Sequence, residues 1–204
     1  MDPRSATVWR VKRALPWLLG VGILTTLVVV GLAQSGGEEK APAAPTFDLL
    51  DARERLRGAP APLAALHAQS AQLLDGGTKA FDARLAALEG TPVVINKWAS
   101  WCGPCRAEFP AFQQVATRRG KQVAFLGVNG FDAREPAERF LRRFPVPFPS
   151  YADPDERISR SLRAPKNYPI TVFVDRAGET AFIHQGFYET EARLEEDIDR
   201  YLKP

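Results

Sequence analysis

Two cysteines are the residues of this chain whose type and spacing point most directly to chemistry. Cys102 and Cys105 are separated by two residues, within the run WASWCGPCRAEFP of residues 98–110. Thiols at this spacing can hold a metal, form an inert cross-link or exchange disulfides with other proteins. The residues around the cysteines must be used to choose between these three chemistries.

Metal binding and a purely structural cross-link are both weakly supported by the sequence. A structural zinc site needs four ligands, and His67 and His184 are the only histidines that could join the two cysteines. Both lie far from the cysteines along the chain, so we expect no metal. A cross-link between residues so close in sequence closes a short loop and stabilises little. A redox role is therefore favoured, although the other two roles stay open at this stage.

The elements on either side of the cysteines would position them for redox chemistry. Residues 92–96 form a short apolar run typical of a strand buried on both faces, and helical spacing follows from about Cys102 to Arg119. Cys102 then lies at a helix start, where free N–H groups and the helix dipole favour its thiolate. Pro104 suits the first turn, because its missing N–H would have no partner there. Cys105, one turn further along, could attack a mixed disulfide formed by Cys102.

Away from the cysteines, strand and helix patterns alternate and end in a hairpin followed by a helix. Further strands are predicted at 122–128, at 148–151 as an edge strand, at 170–174 and at 179–185, and further helices at 133–144, at 155–162 and after Thr190. Upstream, helical spacing is present over 62–74 and 78–88, while 47–50 is too short to classify. These patterns predict an α/β fold, in which a mixed central sheet carries helices on both faces.

The composition argues against a nucleic-acid-binding protein. Of the 204 residues, 45% are apolar, which is typical of a globular domain with a core. The net charge of +3 is carried entirely by residues 1–13, which contain four basic residues and one acidic residue. The rest of the chain sums to zero, so it lacks the overall basic excess that is expected for binding a nucleic acid.

Residues 14–33, ALPWLLGVGILTTLVVVGLA, are uncharged and mostly apolar. At about 1.5 Å per residue, a helix of this length spans about 30 Å, the thickness of the hydrocarbon core of a bilayer. A cleaved signal peptide is the alternative, but the run is longer than usual for one, and Gly31-Leu32-Ala33 is a poor cleavage site. We expect an uncleaved single-pass anchor, with residues 1–13 in the cytoplasm and the rest of the chain outside.

The cysteine run also resembles a known family. Residues 98–110, together with Tyr168-Pro169 ahead of the predicted strand ITVFVD, resemble the active site of the thioredoxin superfamily. More narrowly, residues 91–202 resemble the membrane-anchored, extracytoplasmic thiol-disulfide oxidoreductases of the TlpA/ResA kind. The resemblance implies a thioredoxin-like fold, a Cys102–Cys105 disulfide that cycles between oxidised and reduced forms, and no cofactor beyond the thiols. The substrate contacts that it implies are Trp101, Gly103, Pro104, Tyr168 and Pro169, the last at the family's cis-proline position.

Three positions near the motif refine this resemblance. Asn96 stands where thioredoxins have a buried aspartate, and asparagine is common there in the TlpA/ResA-like branch. Glu108 matches an acidic residue near the active site of this branch and is expected to be catalytic; an ordinary acidic residue near a helix start is the alternative. Lys97 replaces an apolar aromatic residue, and we expect its side chain to extend from the strand end to water. Residues 62–88 look helical where the branch usually has a hairpin.

These observations divide the chain into five segments. They are a cytoplasmic basic tail (1–13), a transmembrane anchor (14–33), a flexible linker (34–46), a helical N-terminal extension (47–90) and a thioredoxin-like domain (91–204). The linker is rich in Gly, Pro and Ala and cannot bury enough apolar surface to order itself. The protein is accordingly expected in the cell membrane, with its thioredoxin-like domain extracytoplasmic.

The function predicted from these residues is thiol-disulfide exchange with extracytoplasmic proteins. Gly103-Pro104 is the dipeptide of thioredoxin, a strong reductant, so a reductase is favoured. The branch suggests apocytochrome c as a substrate class. No NADPH is available outside the cell, so electrons would come from a membrane partner. A disulfide oxidase or isomerase and a non-catalytic, metallochaperone-like ectodomain are the alternatives.

Overall fold

A six-stranded mixed sheet forms the centre of the protein, in the strand order β1-β4-β3-β2-β5-β6. The computed structural model describes residues 47–202. The predicted tail, membrane anchor and linker at residues 1–46 lie outside the described residues. Within 47–202, none of the helices combines the length and the apolar character needed to cross a bilayer.

The elements follow one another along the chain with short connections. The strands are β1 (Leu73–Leu74), β2 (Val93–Trp98), β3 (Ala124–Gly130), β4 (Ser150–Asp153), β5 (Ile170–Val174) and β6 (Thr180–Gln185). The helices are α1 (Leu49–Arg55), α2 (Ala61–His67), α3 (Gly77–Ala86), α4 (Gly103–Arg119), α5 (Arg134–Arg143), α6 (Arg157–Ser161) and α7 (Glu191–Tyr201). From β2 onward, every predicted strand and helix is present, with ends shifted by a few residues.

Strand β2 is the centre of the sheet and the element that leads to the cysteines. It pairs parallel with β3 on one side and antiparallel with β5 on the other. All its residues are buried, as are those of β3 and β5. Their apolar runs therefore reflect burial on both faces, as the sequence predicted.

Helices cover both faces of the sheet, which confirms the predicted mixed α/β fold. Alternate residues of β2 enter separate cores: Val94 and Trp98 enter one, and Val93 and Ile95 enter the other. The first core is completed by α4, α5 and α7 through residues that include Phe109, Phe112, Phe140, Leu194 and Ile198. The second is completed by α2, α3 and α6 through residues that include Leu63, Leu66, Phe81 and Ile158.

The region before β2 differs from the sequence prediction. The helix predicted over 62–74 ends at His67, and Leu73–Leu74 instead form β1, which pairs parallel with β4. Ala71, in a left-handed conformation with φ 58°, turns the chain towards the sheet, where its N–H donates to the Phe148 carbonyl over 3.1 Å. Pairing with a strand far along the chain has overridden the local helical spacing. The segment at 47–50, too short to classify from the sequence, begins α1.

Strand β4 was predicted as an edge strand at 148–151, and this was wrong in two respects. The strand begins at Ser150, and β1 and β3 pair with it on either side. The edge on this side of the sheet is β1, which the sequence analysis assigned to a helix. Ser150 is buried because β3 lies close to it: a Cβ at Gly127 would collide with the Ser150 hydroxyl. That hydroxyl accepts a hydrogen bond from Trp98 Nε1 over 3.1 Å.

Candidate functional site: a disulfide at the start of a helix

The two cysteines lie where the chain leaves β2 and enters α4. Cys102 is the N-cap of α4, with an extended backbone, and its Sγ accepts a hydrogen bond from the Cys105 N–H over 3.1 Å. Pro104 occupies the first turn, as its missing N–H favours. Cys102 and Cys105 are joined in a disulfide. The predicted position of Cys102 at the helix start is therefore confirmed.

The disulfide is almost completely enclosed by the protein. Cys105 is fully buried at 0% exposure, and Cys102 is only 4% exposed. The cap position at the helix start makes Cys102 the more exposed of the two residues, but neighbouring side chains enclose most of it. Cys102 instead borders a surface cavity of about 470 Å³, lined also by Trp101, Pro104, Phe131, Glu156, Lys166, Asn167 and Tyr168. This cavity is the route by which a partner's sulfur would reach Cys102.

Aromatic side chains form much of the wall of this cavity. Trp101 is 57% exposed, packs edge-on against Tyr168 with ring centroids 5.1 Å apart, and donates from Nε1 to the Phe131 carbonyl over 3.0 Å. Phe131 is 70% exposed. The sequence analysis expected Trp101 and Tyr168 here but missed Phe131, which lies in a loop and has no sequence signal of its own. Such exposed rings next to a sulfur provide apolar contact area for a polypeptide.

The remaining predicted contact residues lie on the two segments that flank the cavity. Gly103 is the first residue of α4, and a Cβ built on it would meet nothing within 4 Å. The Tyr168–Pro169 peptide bond is cis, as predicted. Pro169 precedes β5, and its carbonyl accepts from the Gly186 N–H over 3.1 Å. Tyr168, rather than Pro169, is the residue of this pair that lines the cavity.

Glu108 is fully buried one turn beyond Cys105 on α4. Its Oε1 accepts from Asn96 Nδ2 over 2.7 Å, and its Oε2 accepts from the Tyr188 N–H over 3.2 Å. Burial raises the pKa of this carboxyl to about 8, although both hydrogen bonds act in the opposite direction. Glu108 is therefore not an ordinary surface acid. It can hold or release a proton near neutral pH, beside the buried cysteine.

The loop that contacts Glu108 brings in residues that sequence reasoning missed. Tyr188 is buried, and its hydroxyl donates to Asp197 on α7 over 2.8 Å. His184 on β6 stacks on the Tyr188 ring at 4.2 Å between centroids. Asp197 gave no signal because it lies inside an ordinary amphipathic helix. This network fixes the backbone that hydrogen-bonds to Glu108.

Lys97 occupies a different environment from the one predicted. Its side chain was expected to reach water, but the residue is only 2% exposed. Its ammonium lies 2.7 Å from Glu156 Oε1, donates to the Pro165 carbonyl over 2.9 Å and sits 4.1 Å from the centre of the Tyr168 ring. The physical reason is that β2 is a central strand, so its end is covered by the segments before β5.

Glu156 and Tyr168 complete a polar network with Lys97 beneath the cavity. The Tyr168 hydroxyl donates to Glu156 Oε1 over 2.6 Å. Burial alone would raise the pKa of Glu156, but the bonds from Lys97 and Tyr168 outweigh it and lower that pKa. A Cβ at Gly130 would collide with the Tyr168 hydroxyl, so a larger residue there would displace Tyr168 from this network. The network anchors one wall of the cavity.

No metal centre is built from the residues that the structure describes. Within 47–202, no cluster of three or more His, Cys, Asp or Glu side chains could hold an ion. His67 lies on α2, and His184 packs on Tyr188. The expectation that the protein needs no metal or other cofactor stays a prediction.

A disulfide at the N-terminus of the helix that follows a central strand of a mixed sheet defines a thiol-disulfide oxidoreductase of the thioredoxin superfamily. The chain belongs to the AhpC/TSA family, whose sequence model matches residues 58–183. The match includes α2, β1 and α3 as well as the cysteines.

Relatives support this class. The chain is 30% identical over 126 residues to the thiol-disulfide oxidoreductase ResA of Geobacillus kaustophilus, covering 61% of this chain and 69% of that protein. It is 31% identical over 118 residues to the thioredoxin-like protein YneN of Bacillus subtilis, covering 54% of this chain and 65% of the relative. Among solved structures, a protein described as thiol:disulfide interchange protein DsbE from Chlorobium tepidum superposes with a TM-score of 0.52 at 31% identity, over 57% of this chain and 84% of that one. The predicted resemblance to ResA-like oxidoreductases is confirmed.

Proposed function

We propose that the protein is an extracytoplasmic reductase of protein disulfides, and that Cys102 attacks the substrate. The observation that carries the proposal is the buried Glu108, one turn from Cys105, with a pKa raised to about 8. A dithiol that cycles at neutral pH must release and recover protons. A carboxyl that titrates in this range beside the buried thiol supplies that function.

The reaction follows from the positions of the two sulfurs. In the reduced protein, the Cys102 thiolate attacks one sulfur of a substrate disulfide, forms a mixed disulfide and expels the other substrate sulfur as a thiolate. Cys105 then loses its proton to Glu108 and attacks Cys102 Sγ. This step forms the Cys102–Cys105 disulfide and releases the second substrate thiolate. Two electrons pass from the dithiol to the substrate, and a donor must return them.

The helix terminus, Lys97 and Glu108 together favour a reducing rather than an oxidising protein. Interactions that stabilise the Cys102 thiolate stabilise the reduced form and make the protein a better oxidant. The helix N-terminus acts in this direction. The Lys97 charge is compensated by Glu156 at 2.7 Å, and an ionised Glu108 would oppose the thiolate. Of these three groups, the helix terminus alone acidifies Cys102 without compensation.

The redox potential tests this proposal. The protein is equilibrated with dithiothreitol and glutathione buffers, and the fraction of disulfide is measured by alkylation. A value close to about −270 mV, that of thioredoxin, supports a reductase, whereas one near about −120 mV would make the protein an oxidant. Replacing Glu108 serves as a check, because Glu108→Gln should change the pH dependence of the potential.

The location and partners are part of the same proposal. The apolar run at 14–33 would anchor the protein in the membrane with the redox domain outside the cytoplasm. A membrane protein would then supply the electrons, and extracytoplasmic proteins with oxidised cysteines, apocytochrome c among them, would receive them. Protease accessibility in spheroplasts tests the topology: the redox domain should be digested while residues 1–13 stay protected.

A further inference from the structure

A second cleft, of about 590 Å³, adjoins the cysteine motif. It shares no lining residue with the aromatic cavity at Cys102. Ser100 and Arg106, on either side of the two cysteines in sequence, place the cleft next to the disulfide. Its most distinctive lining residues are four arginines over an aromatic floor: Arg106, Arg139, Arg142 and Arg143 with Phe140 and Phe144.

The arginines of this cleft are largely without carboxylate partners. Arg139 pairs with Glu135, but both side chains are more than half exposed, so the pair is weak and easily exchanged. Arg106, Arg142 and Arg143 form no ion pair with any residue in the part of the chain that the structure describes, and the Arg143 guanidinium lies 5.5 Å from the Phe144 ring centre. Like charges gathered in this way repel one another, which costs free energy until an anion arrives.

The nearest acidic side chain of the adjoining loop is already occupied. Asp132 accepts from the Ser100 N–H over 2.6 Å, from the Ser100 hydroxyl over 2.9 Å and from Asn129 Nδ2 over 2.9 Å. Its role is to hold the loop before Cys102. Both of its oxygens are therefore occupied, and Asp132 forms no ion pair with these arginines.

Other arginines on α4 and α5 form ion pairs with carboxylates. Arg118 is paired with Glu191 over 2.8 Å and with Glu195 over 3.0 Å, and Arg134 is paired with Glu138 over 2.7 Å. The net charge of the chain after residue 33 is zero. A group of arginines without carboxylate partners thus lies beside the disulfide, although the total charge gives no sign of it.

We infer that this cleft binds an acidic segment of the polypeptide whose cysteine reacts with Cys102. Guanidinium groups bind carboxylates through paired hydrogen bonds, and the aromatic floor suits the apolar parts of a peptide. A polypeptide is favoured over an anionic membrane surface because the cleft adjoins the cysteine motif. A bilayer lying against it would obstruct the approach of a protein substrate to Cys102. The inference rests on the proposed thiol-disulfide exchange and names its preferred substrates.

The test uses peptides that differ only in charge. Each has one cysteine activated as a 2-thiopyridyl disulfide and flanked by glutamate, lysine or glutamine residues. The reduced full-length protein reacts through Cys102, which displaces thiopyridone and forms a mixed disulfide. Cys105 then releases the peptide thiol, so two electrons pass from the protein dithiol to the probe disulfide. Release of thiopyridone is followed by its absorbance, at low and at physiological ionic strength.

The measured quantity is the rate with the glutamate peptide divided by the rate with the lysine peptide, within one protein. At low ionic strength we expect a ratio of about ten, which falls as salt screens the charges. In the Arg142→Glu/Arg143→Glu variant the ratio should fall to one or below. A Lys79→Glu/Lys121→Glu variant has the same net charge but changes exposed residues outside the cleft, and it should keep most of the preference.

The possible outcomes separate this inference from the proposed function. If the glutamine peptide is not reduced by the wild-type protein, the proposed function fails. If that peptide is reduced but the charge ratio is the same in both double variants, the cleft does not select the substrate. If only the arginine variant loses binding to phosphatidylglycerol vesicles while the peptide ratio is unchanged, the cleft binds a membrane instead, and the inference is overturned.

Discussion

Replacing the buried carboxyl gives the most demanding test of the site. Glu108→Gln keeps the size of the side chain but removes its ability to ionise. The amide oxygen can still accept from Asn96 Nδ2, as Oε1 now does at 2.7 Å. The amide nitrogen cannot accept from the Tyr188 N–H, which now donates to Oε2 over 3.2 Å. The substitution therefore disrupts one hydrogen bond, which costs about 1 kcal/mol of stability.

Ionisation of Glu108 destabilises the wild-type protein relative to the Gln variant, and this effect depends on pH. In the unfolded chain this carboxyl loses its proton near 4.5, whereas in the folded protein burial raises its pKa to about 8. Between these values the unfolded state binds fewer protons than the folded state, so stability falls as pH rises. A pKa of 4.5 in the unfolded chain and of about 8 in the folded protein means that the free energy of unfolding falls by roughly 5 kcal/mol by pH 9. The Gln variant lacks this loss.

The two unfolding curves should therefore cross. Below pH 5 the oxidised wild-type protein should be more stable than the Gln variant by about 1 kcal/mol. At pH 9 the Gln variant should be more stable than the wild type by about 4 kcal/mol. The free energy of unfolding is measured by urea denaturation of a fragment that begins at residue 34, with the disulfide intact, from pH 4 to pH 9. Glu89→Gln, at an exposed position, is the control and should follow the wild type. Parallel curves for wild type and Glu108→Gln would refute the argument.

Three further outcomes are expected. In Cys105→Ser, a mixed disulfide with substrate should accumulate on Cys102, because the resolving sulfur is gone; peptide mapping that finds the label elsewhere would contradict the assigned roles. Lys97→Met should destabilise the fold by about 3 kcal/mol in urea denaturation, because it leaves Glu156 without its cation, and adding Glu156→Gln should recover part of the loss. Trp101→Ala should lower kcat/KM for a glutamine-flanked peptide disulfide by about tenfold while leaving the redox potential unchanged. If the potential also shifts, or if kcat/KM does not fall, Trp101 does not act by contacting the substrate.

The features predicted correctly from the sequence depend on local patterns. The start of α4 at Cys102 follows from a buried strand, a short loop and Pro104 in the first turn. The core strands follow from continuous apolar runs. For Glu108, only the resemblance to a family marked the residue as different from an ordinary acid. Its raised pKa requires the tertiary burial that the sequence does not display.

The features that were missed depend on contacts between distant segments. Lys97 is buried because Glu156 and Pro165, about sixty residues later, meet its ammonium. An ion pair of this kind has no periodicity, so the general tendency of lysine to reach water was the wrong guide. Leu73–Leu74 became a strand for the same reason, since its partner is β4. The arginine cleft was concealed because charges were summed along the chain rather than over a surface.

The two-residue strand β1 has a consequence for association between molecules. It occupies hydrogen-bonding positions along β4 that would otherwise offer N–H and C=O groups to the strand of a second chain. A protein cut before residue 91 would keep the whole cysteine motif but leave that side of β4 open. Such a fragment would be prone to pair edge to edge and to aggregate, even with an intact disulfide. The segment before β2, which contributes no cysteine chemistry, would thus protect this side of the sheet from pairing with another chain.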